Sequence, residues 1–308
     1  MSGVVRIGAR GSPLSLTQTG WVRDVLAAAN PGVAFEITPI VTSGDRIQDR
    51  TLTEAGGKGL FTLELDEAML AGRIALAVHS MKDLPTLLPD GIVLAGVPER
   101  EDPRDALICL SDAQSLADLP DGAHIGTASL RRQAQLLSRR PGFRVSMLRG
   151  NVETRLRRVA EGDFDATLLA LSGLKRLGLE RHARCLIDPW ETPSACGQGA
   201  LAITARSDDA AALALAASIE DRAARLEITA ERAFLSALDG SCRTPIGALA
   251  RWEAGRLRFT GEALTADGAH VWRREGEAAC VGEADAAALG DALGREVRVD
   301  AGERLYRA

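Results

Sequence analysis

The feature that most constrains the fold is a regular alternation of short apolar segments with longer helical segments over the first two-thirds of the chain. Ser12-Pro13 supplies a helix N-cap and a proline at the first helical position, which predicts a helix reaching residue 29. Such alternation is typical of an α/β sheet whose strands are mostly parallel. We predict strands of a first sheet at residues 4–7, 33–41, 74–78 and 92–97, with a helix over residues 62–71.

The pattern starts again after the polar segment EREDPRDAL, residues 99–107, which we interpret as a crossing between domains. Strands are predicted at residues 124–126, 145–148 and 166–171, with Ser129 and Gly150-Asn151 beginning the helices between them. Residues 200–205 are again strand-like and are expected to return to the first sheet. From about residue 220 the pattern becomes a helix, three hairpin-like strands and an alanine-rich helix, which indicates a small α+β domain.

These patterns predict three domains in the 308 residues. The first consists of residues 1–98 and 199–218, the second of residues 103–193, and the third of residues 219–308. No run approaches the roughly 18 apolar residues of a membrane span, and the start lacks the apolar run of a secretory signal, so we expect a cytoplasmic protein without a membrane partner. The five cysteines are widely spaced without any CxxC, so we expect free thiols and no metal site.

The charge distribution is more informative than its total. The 37 basic and 42 acidic residues give a net charge of −5, which argues against nucleic acid as a partner. Between Arg131 and Arg158, however, nine arginines accompany one acid, Glu153. A basic run of this kind is as often a solvated helix face as a binding site, so its position in the fold has to decide.

That position favours binding. Residues 10–12, 82–83, 127–132 and 149–151 each follow a predicted strand, and open α/β sheets bind ligands beyond the carboxyl ends of their strands. Several arginines meeting there would suit a ligand with several carboxylates or phosphates, because each guanidinium can bind such a group through two hydrogen bonds. No Walker loop and no GxGxxG follows a strand, so neither a nucleotide nor a nicotinamide site is indicated.

Two residues are candidates for the chemistry itself. Asp83 follows a buried strand in the polar segment HSMKDLP and is the best candidate for an acid or base, with His79 as a weaker one. Cys242, in the loop LDGSCRTPIG beside an arginine, could be a nucleophile or an attachment point. Taken alone, each has a structural alternative, a turn cap for Asp83 and an ordinary free thiol for Cys242. Cys196, in the glycine turn SACGQG, is a rival thiol.

The motifs taken together resemble the porphobilinogen deaminase family, also called the hydroxymethylbilane synthases, along nearly the whole chain. They occur in order as RIGARGSPLSLTQ, TSGD, GGKGLF, AVHSMKDLP, EREDPRDALI, IGTASLRRQAQL, LRGNVETRL, LALSGLKRLGL, GQGA and ERAFLSALDGSCRTPIG. The last motif is the family's cofactor-attachment signature. The resemblance implies two doubly wound α/β domains like those of periplasmic solute-binding proteins, the second inserted in the first, plus the small α+β domain.

The resemblance also implies a mechanism and a set of site residues. A dipyrromethane cofactor would be joined by a thioether to Cys242. Four molecules of porphobilinogen would be added to it with release of ammonia, and the linear tetrapyrrole hydroxymethylbilane would then be released by hydrolysis, in porphyrin biosynthesis. Asp83 would be the catalytic carboxylate, and the family precedent is a monomer. Cofactor-binding residues would be Lys82, Asp83, Thr127, Ser129, Arg131, Arg132, Arg149 and Arg155, and substrate-binding residues Arg10, Ser12, Arg149, Arg155 and Arg176.

One alternative remains open on the residues alone, a cytosolic polyanion-binding protein with the solute-binding fold. Release of ammonia from porphobilinogen would distinguish the enzyme from this binder.

Overall fold

A computed structural model describes residues 4–43, 62–240 and 244–306 of the chain. The chain divides into two compact units, Met1–Glu101 with Ala200–Arg225, and Asp102–Gly199 with Leu226–Ala308. In chain order the helices and strands are β1 (Val5–Arg10), α1 (Pro13–Ala29), β2 (Phe35–Ile40), α2 (Leu63–Leu70), β3 (Leu76–Ser80), β4 (Ile92–Gly96), β5 (Asp105–Cys109), β6 (His124–Gly126), α3 (Leu130–Arg139), β7 (Arg144–Ser146), α4 (Val152–Ala160), β8 (Ala166–Ala170), α5 (Leu171–Arg176), β9 (Cys185–Leu186), β10 (Leu201–Arg206), α6 (Ala210–Ala217), α7 (Arg222–Ala237), β11 (Ile246–Glu253), β12 (Arg256–Leu264), β13 (Val271–Ala279) and α8 (Glu283–Ala301).

The first unit contains a five-stranded sheet in the order β2-β1-β3-β10-β4. Strands β1, β2 and β3 are parallel, and β10 runs antiparallel to both of its neighbours. The expected return of the chain near residue 200 is therefore confirmed. Helices α1 and α6 pack on one face through Val22, Leu26 and Leu215, and α2 packs on the other through Leu65 and Met69. Each face of the sheet is thus covered by its own apolar core.

The second unit repeats this strand order in a sheet of its own, β7-β6-β8-β5-β9. Here β5 is the antiparallel strand. Helix α3 covers one face through Leu136, while α4 and α5 cover the other through Val159 and Leu174. The prediction of two doubly wound α/β sheets is confirmed.

Two details differ from the sequence-based prediction. The segment interpreted as a crossing, residues 99–107, already contains the first residues of β5, because the apolar run ALIC follows closely on its charged residues. The sheets are also mixed rather than wholly parallel. Strands β5 and β10 both begin where the chain has just passed from one unit to the other, so no crossover helix imposes a parallel direction on them.

The third sheet, also in the second unit, is antiparallel in the order β11-β12-β13. It packs against α7 and α8 around a core that includes Phe234 and Phe259, whose ring centroids lie 5.2 Å apart. The expected small α+β region at the C-terminal end is confirmed.

Candidate active site

The carboxyl edge of the first sheet carries four of the predicted site residues. Arg10 ends β1, and Lys82 and Asp83 form a short turn directly after β3, the parallel neighbour of β1. The side chain of Asp83 is exposed and that of Lys82 is half-buried. Ser12 caps α1, its hydroxyl accepting a hydrogen bond of 3.3 Å from the Ser15 amide. The N-terminal end of a helix and two cations therefore accompany Asp83 on this edge.

His79 is less suited to act as a base than its position suggested. It is buried in β3, and its Nε2 lies 3.1 Å from the Thr204 hydroxyl oxygen. Burial, and to a smaller extent the charge of Arg10, lowers the pKa of His79 to about 4. The ring is therefore neutral near neutral pH and belongs to the interior of the sheet.

The carboxyl edge of the second sheet is built from two capped helix starts. Thr127 follows β6 and accepts a 3.1 Å hydrogen bond at its hydroxyl from the Ser129 amide, and Ser129 in turn caps α3. Asn151 caps α4 by accepting a 2.8 Å hydrogen bond from the Thr154 amide. Gly150, between Arg149 and this cap, has a φ of +114°, a conformation that side chains other than glycine rarely adopt. The turn between Arg149 and α4 therefore depends on glycine at position 150.

Asp105 organises two of the predicted arginines. Its carboxylate is 4% exposed and accepts hydrogen bonds from Arg131 Nη2 at 2.9 Å and from Arg132 Nη2 at 2.7 Å and Nε at 3.2 Å. Gln198 Nε2 donates a further bond of 2.8 Å. Burial alone would raise the pKa of Asp105, but the charges of Arg132 and Arg131 and these hydrogen bonds hold it well below its usual range. The result is a buried ionic triad at the start of β5.

Arg155 belongs to a second group of cations, which shares Arg132 with the triad. Its Nε donates a 2.9 Å hydrogen bond to the Gly150 carbonyl. Desolvation, together with repulsion from Arg132 and Arg149, lowers the pKa of Arg155 to about 10. The Arg132 and Arg149 guanidiniums thus lie close enough to repel that of Arg155, and we call Arg132, Arg149 and Arg155 the arginine cluster. An anionic ligand would relieve that repulsion.

The other arginines between residues 131 and 158 have mainly surface roles. Arg140 pairs with Asp121 at 2.7 Å, Arg157 pairs with Glu161 at 3.0 Å, and Arg158 pairs with Asp163. Arg144 donates to the Gly122 carbonyl. The basic run is therefore divided between a solvated surface and the buried end of the sheet.

Arg176 and Gln198 lie close to the chain segment that leads into β10. Arg176 Nη2, at the end of α5, donates a 2.8 Å hydrogen bond to the Gly199 carbonyl. Besides its bond to Asp105, Gln198 Nε2 donates to the Pro103 carbonyl at 2.7 Å. The backbone of the GQGA motif therefore helps to hold Arg176 in place.

The two candidate thiols differ in what the structure describes. Cys242 lies outside the described residues. Cys196 is buried in the apolar core of the third sheet and its helices, with Phe234 and Ile246 among the members of that core. A buried position of this kind makes Cys196 a packing residue.

Several polar residues of the second unit were missed by sequence reasoning. Asp105 and Gln198 complete the ionic triad, Gln135 bonds to Arg131, and Glu262 bonds to Gln135. Asp105 lies within the quoted EREDPRDALI motif, so a signal for it was present. Glu262, in a strand of the third sheet, had none.

Within residues 4–43, 62–240 and 244–306, no three histidine, cysteine, aspartate or glutamate side chains are grouped so that they could hold a metal ion. The same ranges contain no helix with the length and hydropathy that a membrane crossing requires.

The second unit fits an acidic cofactor. Arg131 Nε is buried and has no hydrogen-bond partner among the described residues, although the other nitrogens of this guanidinium donate to Asp105, Gln135 and Pro193. A buried hydrogen-bond donor without a partner lowers the stability of the fold, and a ligand that supplies an acceptor would remove this penalty. A negatively charged group beside the arginine cluster would reduce the repulsion that Arg155 experiences. Several carboxylates on one group would satisfy both.

These features define an α/β protein with clustered cations at the ends of its sheets, and comparison with known proteins identifies its family. Residues 5–214 match the family model "Porphobilinogen deaminase, dipyromethane cofactor binding domain", and residues 225–298 match "Porphobilinogen deaminase, C-terminal domain". The chain is 52% identical to the porphobilinogen deaminase of Phenylobacterium zucineum over 315 residues, which covers 98% of each chain. It is also 52% identical to that of Caulobacter vibrioides, covering 98% of this chain and 97% of the relative.

The chain belongs to the porphobilinogen deaminase family. It is a transferase of tetrapyrrole biosynthesis with a dipyrromethane cofactor and porphobilinogen as substrate. The family assignment selects the enzyme over the polyanion-binding alternative. Among solved structures, the periplasmic aliphatic sulphonate binding protein of Escherichia coli is similar at 14% identity with a TM-score of 0.43, over 77% of this chain and 70% of that one.

Proposed function

We propose that the residues at the two sheet edges have different roles in the reaction, carboxylate binding at one edge and proton transfer at the other. The arginine cluster and Arg131, at the edge of the second sheet, bind the acetate and propionate groups of the cofactor and of the growing chain. Asp83, at the edge of the first sheet, donates and accepts the protons that the reaction transfers. The observation that carries this assignment is the buried Nε of Arg131, which has no hydrogen-bond partner among the described residues. The repulsion of Arg155 by Arg132 and Arg149 favours an anionic ligand at the same edge.

Each condensation breaks one carbon–nitrogen bond and forms one carbon–carbon bond. The aminomethyl nitrogen of porphobilinogen leaves as ammonia, and the methylene carbon joins the free α-carbon of the terminal pyrrole, which then loses its proton. The bound dipyrromethane supplies the first such α-carbon. Asp83, protonated, donates a proton to the departing nitrogen, and its carboxylate then stabilises the cation that forms and accepts the proton released from the pyrrole carbon.

Arg10, Lys82 and the N-terminal end of α1 accompany Asp83 on the same edge, so we assign them to the carboxylates of the incoming porphobilinogen. Ser12 contributes as the cap of this helix. On the second sheet, Thr127 and Ser129 keep the start of α3 in place for the cofactor. Arg176, fixed by the Gly199 carbonyl, is assigned to a later pyrrole of the chain.

We also propose that Cys242 carries the cofactor through a thioether. The motif LDGSCRTPIG supports this, because it joins α7 to β11 and lies in the region that matches the family's C-terminal domain. Cys196 is the weaker candidate, since its thiol is buried in an apolar core. We assign residues 103–193 and 219–308 to separate domains, because each has its own sheet and its own core. The monomeric state and the cytoplasmic location stay predictions.

Intact mass spectrometry tests the proposal. Freshly purified protein should exceed its sequence mass by one dipyrromethane, and the excess should map to Cys242. Brief incubation with porphobilinogen should add a ladder of pyrrole increments. Active protein without the added mass, or with the mass on Cys196, would overturn the attachment.

The role of Asp83 is tested by Asp83→Asn, with Asp90→Asn as a control, since Asp90 is an exposed aspartate of the same unit. The asparagine side chain cannot donate the acid proton, so ammonia release should fall by about a hundredfold or more while the cofactor mass is retained. The control should retain ammonia release. Turnover by Asp83→Asn at the wild-type rate would exclude Asp83 as the acid.

A further inference from the structure

Helix α3 is joined to the C-terminal sheet by a buried chain of hydrogen bonds. Glu262, on β12, is 1% exposed, and its Oε1 accepts a 2.8 Å hydrogen bond from Gln135 Nε2. Its other oxygen, Oε2, lies 3.7 Å from Arg139 Nη2 at the end of α3. Gln135 Oε1 in turn accepts a 2.7 Å bond from Arg131 Nη1. Arg131 Nη2 donates to Asp105, which also holds Arg132. Each bond in this chain involves a charged or amide group enclosed by protein.

The surrounding backbone leaves little room for these groups to adjust. A Cβ placed on Gly268, in the turn between β12 and β13, would lie 2.5 Å from the Ala134 carbonyl oxygen and the Ser138 amide nitrogen of α3. A Cβ on Gly247, in β11, would lie 2.4 Å from the Pro193 carbonyl oxygen. The C-terminal sheet therefore approaches α3 and the segment at residue 193 at backbone distance.

The two ends of the Gln135 amide are not interchangeable. Arg131 can only donate, so it must face the amide oxygen, whereas Glu262 and the Pro193 carbonyl can only accept, so they must face the amide nitrogen. If the amide were reversed, Gln135 would place donor against donor and acceptor against acceptor. Glu262 and the Pro193 carbonyl thereby determine together which end of Gln135 meets Arg131.

We propose that Glu262 is a positioning residue for the carboxylate-binding arginines: it fixes the Gln135 amide, which orients Arg131 and, through Asp105, Arg132. This inference rests on the function proposed above for those arginines. Arg132 donates to Asp105 through Nε and Nη2, which leaves Nη1 as the nitrogen that could donate to a ligand carboxylate. The direction of Nη1 therefore depends on the orientation that the triad gives to the Arg132 guanidinium. The C-terminal sheet thus has a part in anion binding in addition to its place in the family's C-terminal domain.

Glu262→Leu removes the acceptor, and Glu262→Gln keeps an oxygen that can accept from Gln135. For Glu262→Leu we expect a rise of about fivefold to tenfold in the KM for porphobilinogen, the scale of one hydrogen bond, with kcat within about twofold because Asp83 is untouched. The fraction of purified protein that carries the dipyrromethane mass should fall as well. Glu262→Gln should stay within about twofold of wild type on both measures.

An exchange of the two side chains gives the sharpest test. Gln135→Glu alone sets two carboxylates against each other and should raise KM more than Glu262→Leu does. The double variant Glu262→Gln with Gln135→Glu removes the contact between two carboxylates, because the amide at position 262 can donate to the carboxylate at position 135 while that carboxylate accepts from Arg131. The Pro193 carbonyl loses the donor at position 135 but keeps its bond from Arg131 Nη1. We expect its KM to return to within about threefold of wild type.

The control is Glu227→Leu, which removes another buried glutamate of the C-terminal region that is bonded instead to Arg251 and the Trp252 amide. It should lower the unfolding midpoint without changing KM. If Glu262→Leu leaves KM unchanged, or raises it no more than Glu227→Leu does, the positioning role is wrong. Should Glu262→Leu fail to fold, the exchange decides, since a double variant no better than Gln135→Glu alone overturns the inference. Cofactor mass and ammonia release of the wild type test the proposed function separately.

Discussion

Replacement of Asp105 by asparagine tests the buried triad most severely. The substitution keeps the size of the side chain and removes its negative charge, which leaves two buried guanidiniums facing a neutral amide. The carbonyl oxygen of that amide could still accept a hydrogen bond from one arginine. The NH₂ group of the amide would face the N–H groups of the other arginine, so no hydrogen bond could form there. Arg131 and Arg132 are each only 5% exposed, so water can replace the lost carboxylate only in part.

The magnitude follows from that burial. Removing one partner of a buried ion pair typically costs about 3–5 kcal/mol, because the remaining charge stays desolvated without compensation. Asp105 serves two arginines and also accepts from Gln198, so we expect the free energy of unfolding of the second unit to fall by an amount near the top of that range. A loss of this size is a large part of the stability of a typical domain.

Urea unfolding of apoprotein, followed by tryptophan fluorescence, is the assay. Asp102→Asn is the matched control, since Asp102 lies close to Asp105 in the chain but pairs with Arg104, whose side chain is 41% exposed. Because Arg104 is partly exposed to solvent, the loss of this pair should cost less than the loss of the fully buried triad. If Asp105→Asn unfolds at the same urea concentration as Asp102→Asn, the triad does not stabilise the fold and the reasoning is refuted.

Two further predictions concern pH and close packing. Because burial lowers the pKa of His79 from 6.5 to about 4, unfolded chains bind a proton there at a pH where native chains do not, so stability should fall by up to about 3 kcal/mol as pH drops from 6.5 to 4. His79→Gln should flatten this part of the curve of unfolding free energy against pH, and an unchanged slope would contradict the shift. Gly268→Ala should cost about 2–4 kcal/mol in urea unfolding, because its φ of +71° is combined with a backbone contact of 2.5 Å. Gly122→Ala, with a φ of +79° and open space, should cost about 1 kcal/mol, and equal losses would show that the close approach does not matter.

Much of the fold could be predicted because its signals are local. Ser12, Ser129 and Asn151 each precede a helix, and all three cap the expected helix with a side-chain hydrogen bond. The strands that end at Arg10, Ser80 and Gly126 are short apolar segments, and the residues that follow them in the chain are polar. The positions of the sheet edges could therefore be predicted from these segments.

The partners of the arginines could not be predicted in the same way. Arg131 and Arg140 lie on or next to the same helix and are equally basic in the sequence, yet one is held by Asp105 and the other by the exposed Asp121. Asp105 lies 26 residues before Arg131, and Glu262 lies 127 residues after Gln135. Pairings over such distances depend on which strands become neighbours, and helix periodicity contains no information about that.

Binding of the cofactor's carboxylates by the arginine cluster is tested most directly by the difference in melting temperature between holoprotein and the Cys242→Ala apoprotein. A ligand that binds only the native state raises its stability, so the wild-type difference should be positive. In the Arg155→Met background it should shrink by at least about 3 °C, the scale of one lost charge-assisted hydrogen bond at this chain length. Arg140→Met, which removes a surface partner of Asp121, should preserve the wild-type difference. An equally large difference with Arg155→Met would contradict the claim.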